Sequence, residues 1–279
     1  MSGSADAPRA ALDAIGLLPD GEIDIADAAL QLARVDAPEA DWRAARVHLS
    51  DLARDAVRIS DGIAPHDVPG QAGALAGLLG ERHGYVGDAD TYDDLANANL
   101  IRVIERRRGL PVALGILWLH AARAAGWTAH GIDFPGHFLI GLEGARRQTV
   151  LDVFAGGRSL DARGLRALLK RVEGNDAEVR PGTLAPMGTR AVLLRLQNNI
   201  RLRRLRAPDL PAALACAEDM LRIAPADAAL WRDTAVLYQR LDQVGAAVRC
   251  FQRFLDLVPS GDAAIRARAA MDELRSRLN

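Results

Sequence analysis

The stretch over residues 111–125 constrains the fold more than any other part of the chain. It is apolar nearly all round (Val112, Leu114, Ile116, Leu117, Trp118, Leu119), and a helix without a polar face belongs in the middle of a fold. Pro111 suits the first helical position, where its missing N–H costs nothing and its φ is already helical. Gly126 ends the helix. Three β-type runs follow at residues 127–134, 137–142 and 148–154, separated by Pro135-Gly136 and Glu143-Gly144. Their spacing predicts an antiparallel meander. A buried helix followed by a small sheet predicts a mostly helical α+β core.

Upstream, the pattern predicts helices over residues 23–34, 40–59 and 71–82. The second of these offers Trp42, Ala45, Val47, Leu49, Leu52 and Val57 to a core, and Asp61-Gly62 stops it. Residues 84–94 read as an ordered loop and residues 94–107 as a further helix. The first twenty residues are small and polar and are expected to fray.

The chain has 279 residues and a formal net charge of -1, so no general attraction to nucleic acid or anionic membrane is expected. Its longest strongly apolar run, residues 110–119, is about half the 18 or more residues that a membrane span needs. Residues 1–9 lack a basic segment followed by an apolar one, so no secretory signal is read there. Two cysteines, Cys216 and Cys250, cannot form a disulfide framework or a cysteine-only zinc site. The reading is a cytoplasmic protein.

After Gly156-Gly157 the chain is expected to return to helix and stay there, and here it repeats itself. Pro225 and Pro259, Ala213 and Ala247, Leu196 and Leu230, and Cys216 and Cys250 each stand 34 residues apart. In the second unit Trp231, Ala235, Tyr238, Ala247, Phe251 and Pro259 fit the tetratricopeptide spacing, in which small residues let two helices approach and large ones fill the space between units. Arg204 takes the place of Tyr238 in the first unit, which is therefore the weaker match. A final helix over residues 262–278 is expected to cap the array. The domains read as a flexible terminus (1–20), a core (21–182) and a tetratricopeptide-like region with its capping helix (183–279).

Two blocks in the core, Glu105-Arg-Arg107-Arg-Gly109-Leu-Pro111 and Phe134-Pro-Gly136-His137-Phe-Leu139, together with Asn97 and Gly126, resemble the bacterial SirB-type family. That resemblance implies a papain-like, transglutaminase-type core fused to tetratricopeptide repeats. It also implies an active-site pattern of Cys at the start of the central helix, His on a strand and Asp on the next. Here His137 matches the histidine and Asp152 the aspartate, while the nucleophile position falls on Pro111. A thiol at a helix start is activated by the helix dipole and a nearby imidazolium; a proline ring has no nucleophilic group. No serine or cysteine occurs between Ser60 and Ser159, and the two cysteines occupy equivalent repeat positions that read as packing. Thiol-based amide chemistry is not expected.

Two readings of His137 and Asp152 stay open: a base and its orienter lining a pocket, or a buried pair kept for structure. Asn97, Arg107, Pro111 and Gly136 are read as pocket or support residues, with Arg107 holding Asp152 or a backbone turn. His120, His130 and His137 lack metal-ligand spacing, so neither a metal nor a cofactor is expected. The arginines at 201, 203, 204 and 206 lack interleaved aromatics and read as a solvated face rather than a nucleic-acid surface. Trp42 and Trp118 are expected in the core. The functional reading is a non-catalytic scaffold that binds a protein or peptide; the alternative is a thiol-independent hydrolase or transferase using His137 and Asp152.

Overall fold

A computed structural model describes residues 3–144, 148–180 and 182–276. The chain divides into two units, one built on Pro19–Leu196 and the other joining Arg9–Leu18 to Gln197–Asn279. Residues 3–17 lie in the terminus that was expected to fray. They form helix α1 (Gly3–Leu17), whose Leu12 is fully buried.

In the first unit, α2 (Ile25–Asp36), α3 (Trp42–Ser60) and α4 (Val68–Ala76) begin at Asp24, Asp41 and Asp67, whose carboxylates accept the free N–H groups of the first turn. Helix α3 buries Ala45, Leu49, Leu52, Asp55 and Ala56, a stripe at helical spacing. Val47 and Val57 fall outside it and are 62% and 51% exposed. Trp42 is not in the core either: its ring is half-buried, with the Arg34 guanidinium 4.1 Å from its centroid. After α4 the chain widens into a π-turn (Gly77–Arg82). The loop expected next contains a short strand, β1 (Val86–Gly87).

The helix expected over residues 94–107 is interrupted. A single 3-10 turn (Leu95–Asn97) precedes α5 (Leu100–Arg106). The cause is Asn99, whose Oδ1 accepts the N–H groups of Ile101 and Arg102 while its Nδ2 donates to the Ala33 carbonyl at 3.0 Å. Arg107 closes α5 at φ 58, and β2 (Arg108–Gly109) pairs in parallel with β1.

Helix α6 (Pro111–Ala124) starts with Pro111 in its first turn and buries nearly its whole surface, including Trp118. Gly126, at φ 73, ends it, and the Trp127 N–H returns to the Ala122 carbonyl at 2.9 Å. The meander follows as β3 (Ala129–Ile132), β4 (Leu139–Glu143) and β5 (Gln148–Asp152). Helix alone was expected after Gly157, but the sheet's open edges on β5 and β3 are paired there, by β6 (Arg158–Leu160) and, after α7 (Ala162–Glu173), by β7 (Pro186–Met187). The strand order is β6-β5-β4-β3-β7, with every pairing antiparallel. Ile132, Leu139, Val150 and Leu160 pack with Leu165, Leu168 and Leu169 of α7. The fold is α+β.

Helix α8 (Thr189–Arg206) carries the division between the units, so the core runs past residue 182. Asp20 explains this: its carboxylate accepts the Thr189 and Arg190 N–H groups, each at 2.8 Å, and caps α8 from within the core. In the second unit, α9 (Leu210–Ile223), α10 (Ala228–Arg240), α11 (Val244–Leu257) and α12 (Asp262–Ser276) follow. Ala235, Ala247, Phe251 and Phe254 pack with Ala264, Ala267, Met271 and Leu274 of the capping helix. The capping helix was expected to reach residue 278, and its last two positions lie outside the described residues.

In the weaker repeat, Cys216 is buried and donates its thiol proton to Gln197 Oε1 at 2.9 Å, while Arg204 reaches the Ala212 carbonyl at 3.0 Å. Helix α1 joins this unit through Arg9, whose Nε lies 3.0 Å from Asp219, and through Asp13, which Arg222 holds at 2.7 Å.

Candidate functional site

His137 stands two residues before β4 and Asp152 ends β5. These strands are antiparallel neighbours, with Ile140 opposite Leu151, so the start of one lies beside the end of the other. The turn over residues 134–137 delivers the imidazole: the His137 N–H donates to the Phe134 carbonyl at 2.9 Å, with Pro135 and Gly136 at its centre. Gly136 has φ 60, as a type II turn requires at that place, and a Cβ there would lie 2.3 Å from Val172. Gly136 is thus support for the turn. Arg195 fastens the same turn, donating from Nη2 to the His137 carbonyl at 2.6 Å and pairing through Nη1 with Asp133 at 2.6 Å.

His137 Nε2 donates to Asp152 Oδ1 at 2.9 Å, which leaves Nδ1 as the basic nitrogen. The same oxygen accepts the Phe154 and Ala155 N–H groups at 3.2 and 3.3 Å. Burial alone would raise the Asp152 carboxyl, but the His137 hydrogen bond and charge, with the two amides, outweigh it and hold the group below its ordinary value. The two side chains retain 13% and 7% of their surface. The Phe154 ring stands edge-on to the imidazole at 6.0 Å and meets Tyr92 at the same distance. Gly87 lets it settle there, since a Cβ would come within 2.4 Å of the ring. Phe138 points elsewhere, into the space left by Gly115 and Gly131.

Pro111 is the buried first residue of α6. The approach to it is fixed by Asn97, whose carbonyl accepts the Leu110 N–H at 2.8 Å. The fully buried Asn97 side chain donates from Nδ2 to the Thr91 carbonyl at 2.7 Å and accepts from Arg106 Nη1 at 3.3 Å. Arg106 also reaches Asp88 at 3.0 Å. Hydrogen bonds from the Thr91 hydroxyl and N–H, with the Arg106 charge, lower the Asp88 carboxyl to about 2.

Arg107 does not hold Asp152, nor a backbone turn. Its left-handed backbone turns the side chain toward the Tyr85 hydroxyl and His48 Nε2, the latter at 2.7 Å, with its guanidinium 4.9 Å from the Tyr85 ring. His48 Nε2 also accepts from the Tyr85 hydroxyl at 2.7 Å, so it must be unprotonated. Burial first, then the Arg107 charge, lowers His48 to about 4. Burial raises Tyr85 to about 12 against the opposing pull of Arg107.

The other histidines are scattered. His120 Nε2 lies 3.0 Å from the Leu49 carbonyl, and His130 Nδ1 lies 3.1 Å from Glu143. Among the described residues no three His, Cys, Asp or Glu side chains stand close enough to hold a metal, and no helix is long and apolar enough to cross a membrane. The structure joins His137 to Asp152 and ties Asn97 to Leu110, the residue before Pro111. Sequence reasoning missed Arg195 because that residue fell on the repeat side of the expected boundary. It missed Phe154 and Tyr92 because an aromatic cover has no motif.

The family model of the transglutaminase-like superfamily matches residues 43–198, and one for tetratricopeptide repeats matches residues 200–279. A UPF0162 protein of Xylella fastidiosa is 32% identical over 195 residues, covering 69% of each chain. A UPF0162 protein of Vibrio cholerae is 28% identical over 243 residues, covering 87% of this chain and 89% of its own. A shorter likeness, 32% over 85 residues, links 29% of the chain to 13% of the mouse F-box only protein 21. No solved structure matches the chain. With its core matched from 43 to 198 and two thirds of a curated relative covered, the chain belongs to the transglutaminase-like superfamily, within the SirB-type UPF0162 family.

Proposed function

We propose that this chain is a non-catalytic transglutaminase-like protein, a cytoplasmic scaffold that binds a protein or peptide partner through its core and its tetratricopeptide region. The observation that carries the reading is Pro111: the residue at the start of the buried helix has no nucleophilic atom. Both cysteines are buried in the repeat unit, where Cys216 is engaged with Gln197. Tetratricopeptide arrays display surface for partners, which supports the binding half of the reading by analogy.

A second reading is favoured by one observation, the intact bond between His137 and Asp152. A general base needs no thiol if it activates water or a substrate hydroxyl. The edge-on Phe154 ring and the near-complete burial of both side chains weigh against it.

Labelling the full chain with an electrophilic amide probe, followed by peptide mapping, separates the two. The scaffold reading expects no label near His137 and no loss of partner capture in His137→Ala. Stoichiometric labelling beside His137, or amide or ester hydrolysis abolished by His137→Ala, overturns it.

A further inference from the structure

A groove of about 720 Å³ in the core unit is walled by β5, β6 and α7. Three arginines reach it, Arg158 from β6 and Arg163 and Arg171 from α7. Among the described residues Asp161 is the one carboxylate of the lining. It is engaged at the start of α7, where it accepts the Gly164 N–H at 2.7 Å. Gln148, Thr149 and Ser159 add uncharged polar groups.

The helix explains why cations gather there. Leu165, Leu168 and Leu169 bury one side of α7 against the sheet. Arg163, Arg166, Lys170 and Arg171 share the opposite side and are exposed. Glu173 stands where it can offset Lys170, and Asp176 and Glu178 follow the helix outside the lining. Among the described residues no carboxylate lies within ion-pair distance of Arg158, Arg163, Arg166 or Arg171. Other surface arginines of the same unit are held: Arg46 by Asp27 at 2.5 Å, Arg102 by Glu39 and Glu105, and Arg108 by Asp90 at 3.4 Å.

A chain whose formal net charge is only -1 thus concentrates uncompensated positive charge on one groove. Clustered guanidinium groups are suited to a carboxylate-rich segment, since each can take a carboxylate through two donors. The lining has no aromatic ring on which a nucleobase could stack. Strand β6 is the outermost of its sheet, with Arg158 and Ser159 exposed, so backbone groups stand open beside the arginines for an extended polypeptide. A second copy of this face would bring the same cations and be repelled.

We infer that this groove receives an acidic segment of a partner polypeptide, its glutamate or aspartate side chains paired with Arg158, Arg163 and Arg171. The inference rests on the scaffold reading in taking the ligand to be a polypeptide, and adds the partner's charge and its place on the core.

The test is calorimetric titration of the full chain at low salt with an acetylated, amidated peptide of alternating glutamate and valine, and with the same peptide carrying glutamine for glutamate. One-site binding is expected, weakened about tenfold or more by glutamine and weakened also as salt rises. The double variant Arg163→Gln, Arg171→Gln should weaken the glutamate peptide about tenfold or more at an unchanged melting temperature, since both side chains are exposed and unpaired. Arg240→Gln with Arg266→Gln, an equal charge change in the repeat unit, should leave the affinity as it was. Absence of binding overturns the inference, as do equal affinity for both peptides and equal effects of the two double variants. An oligouridylate of the same charge that binds as tightly, and is lost in the Arg163 and Arg171 variant, overturns it in favour of nucleic acid. If the glutamate peptide fails while partner capture by the full chain persists in that variant, the groove is excluded and the scaffold reading stands.

Discussion

The Phe138 ring fills the space that a side chain at Gly115 would occupy: a Cβ there would lie 2.3 Å from the ring. The ring also limits Gly131, where a Cβ would come within 2.7 Å. The turn bearing His137 is thereby followed at once by a residue anchored between the central helix and the sheet. Gly115→Ala should lower stability by about 1–3 kcal/mol, the usual cost of overfilling a packed site. Thermal or urea unfolding of the variant measures it.

Pro111→Cys restores a thiol at the start of the central helix. The helix dipole favours its thiolate, whereas burial raises the Cys250 thiol to about 11. Position 111 is itself buried, which opposes the dipole, so the new thiol should react with iodoacetamide within about tenfold of the rates of Cys216 and Cys250 in the folded protein. Timed alkylation with mass-spectrometric mapping gives the three rates.

His48 makes stability depend on pH. Its folded pKa is about 4 against an ordinary 6.5, so below 6.5 the unfolded chain takes up a proton that the folded chain refuses. Stability therefore falls between pH 6.5 and 4 and levels off below. Discounted for partial exposure, the loss is on the order of 2 kcal/mol. The charges that face His48 are Arg107, His83, Asp51 and Asp55. His48→Gln keeps an acceptor for Arg107 and Tyr85 without the titration, so its urea midpoint should lose this pH slope.

Asp152 acts at lower pH. Its carboxyl is held below its ordinary 3.8 because the His137 bond and the two amides outweigh burial. It stabilises the fold above that value, and the contribution is lost as pH falls through the folded pKa. Asp152→Asn should be less stable at pH 7 and should show a shallower loss toward pH 3. Chemical unfolding at several pH values checks both.

The central helix, the meander and the second repeat were legible because each has a strong local pattern: an all-round apolar run, turn residues at Pro135 and Gly136, and aromatics at repeat spacing. The His137 and Asp152 pair was legible through its motif. What the sequence hid depends on distant partners. Helix α1 reads as polar and frayed until Asp219 and Arg222 are placed against it. Trp42 reads as core until Arg34 covers it. Arg107 reads as a partner of Asp152 until its guanidinium is found on Tyr85 and His48. The break at Asn99 was detectable, since asparagine competes for backbone N–H groups.

The bond from Arg9 to Asp219 spans 210 residues, and this has a consequence during synthesis. At ordinary elongation rates the ribosome needs on the order of tens of seconds to bring out the second half of that contact after the first. Throughout that interval Arg9 and Asp13 lack their partners Asp219 and Arg222, so delayed docking of the first helix is built into the order in which this polypeptide emerges.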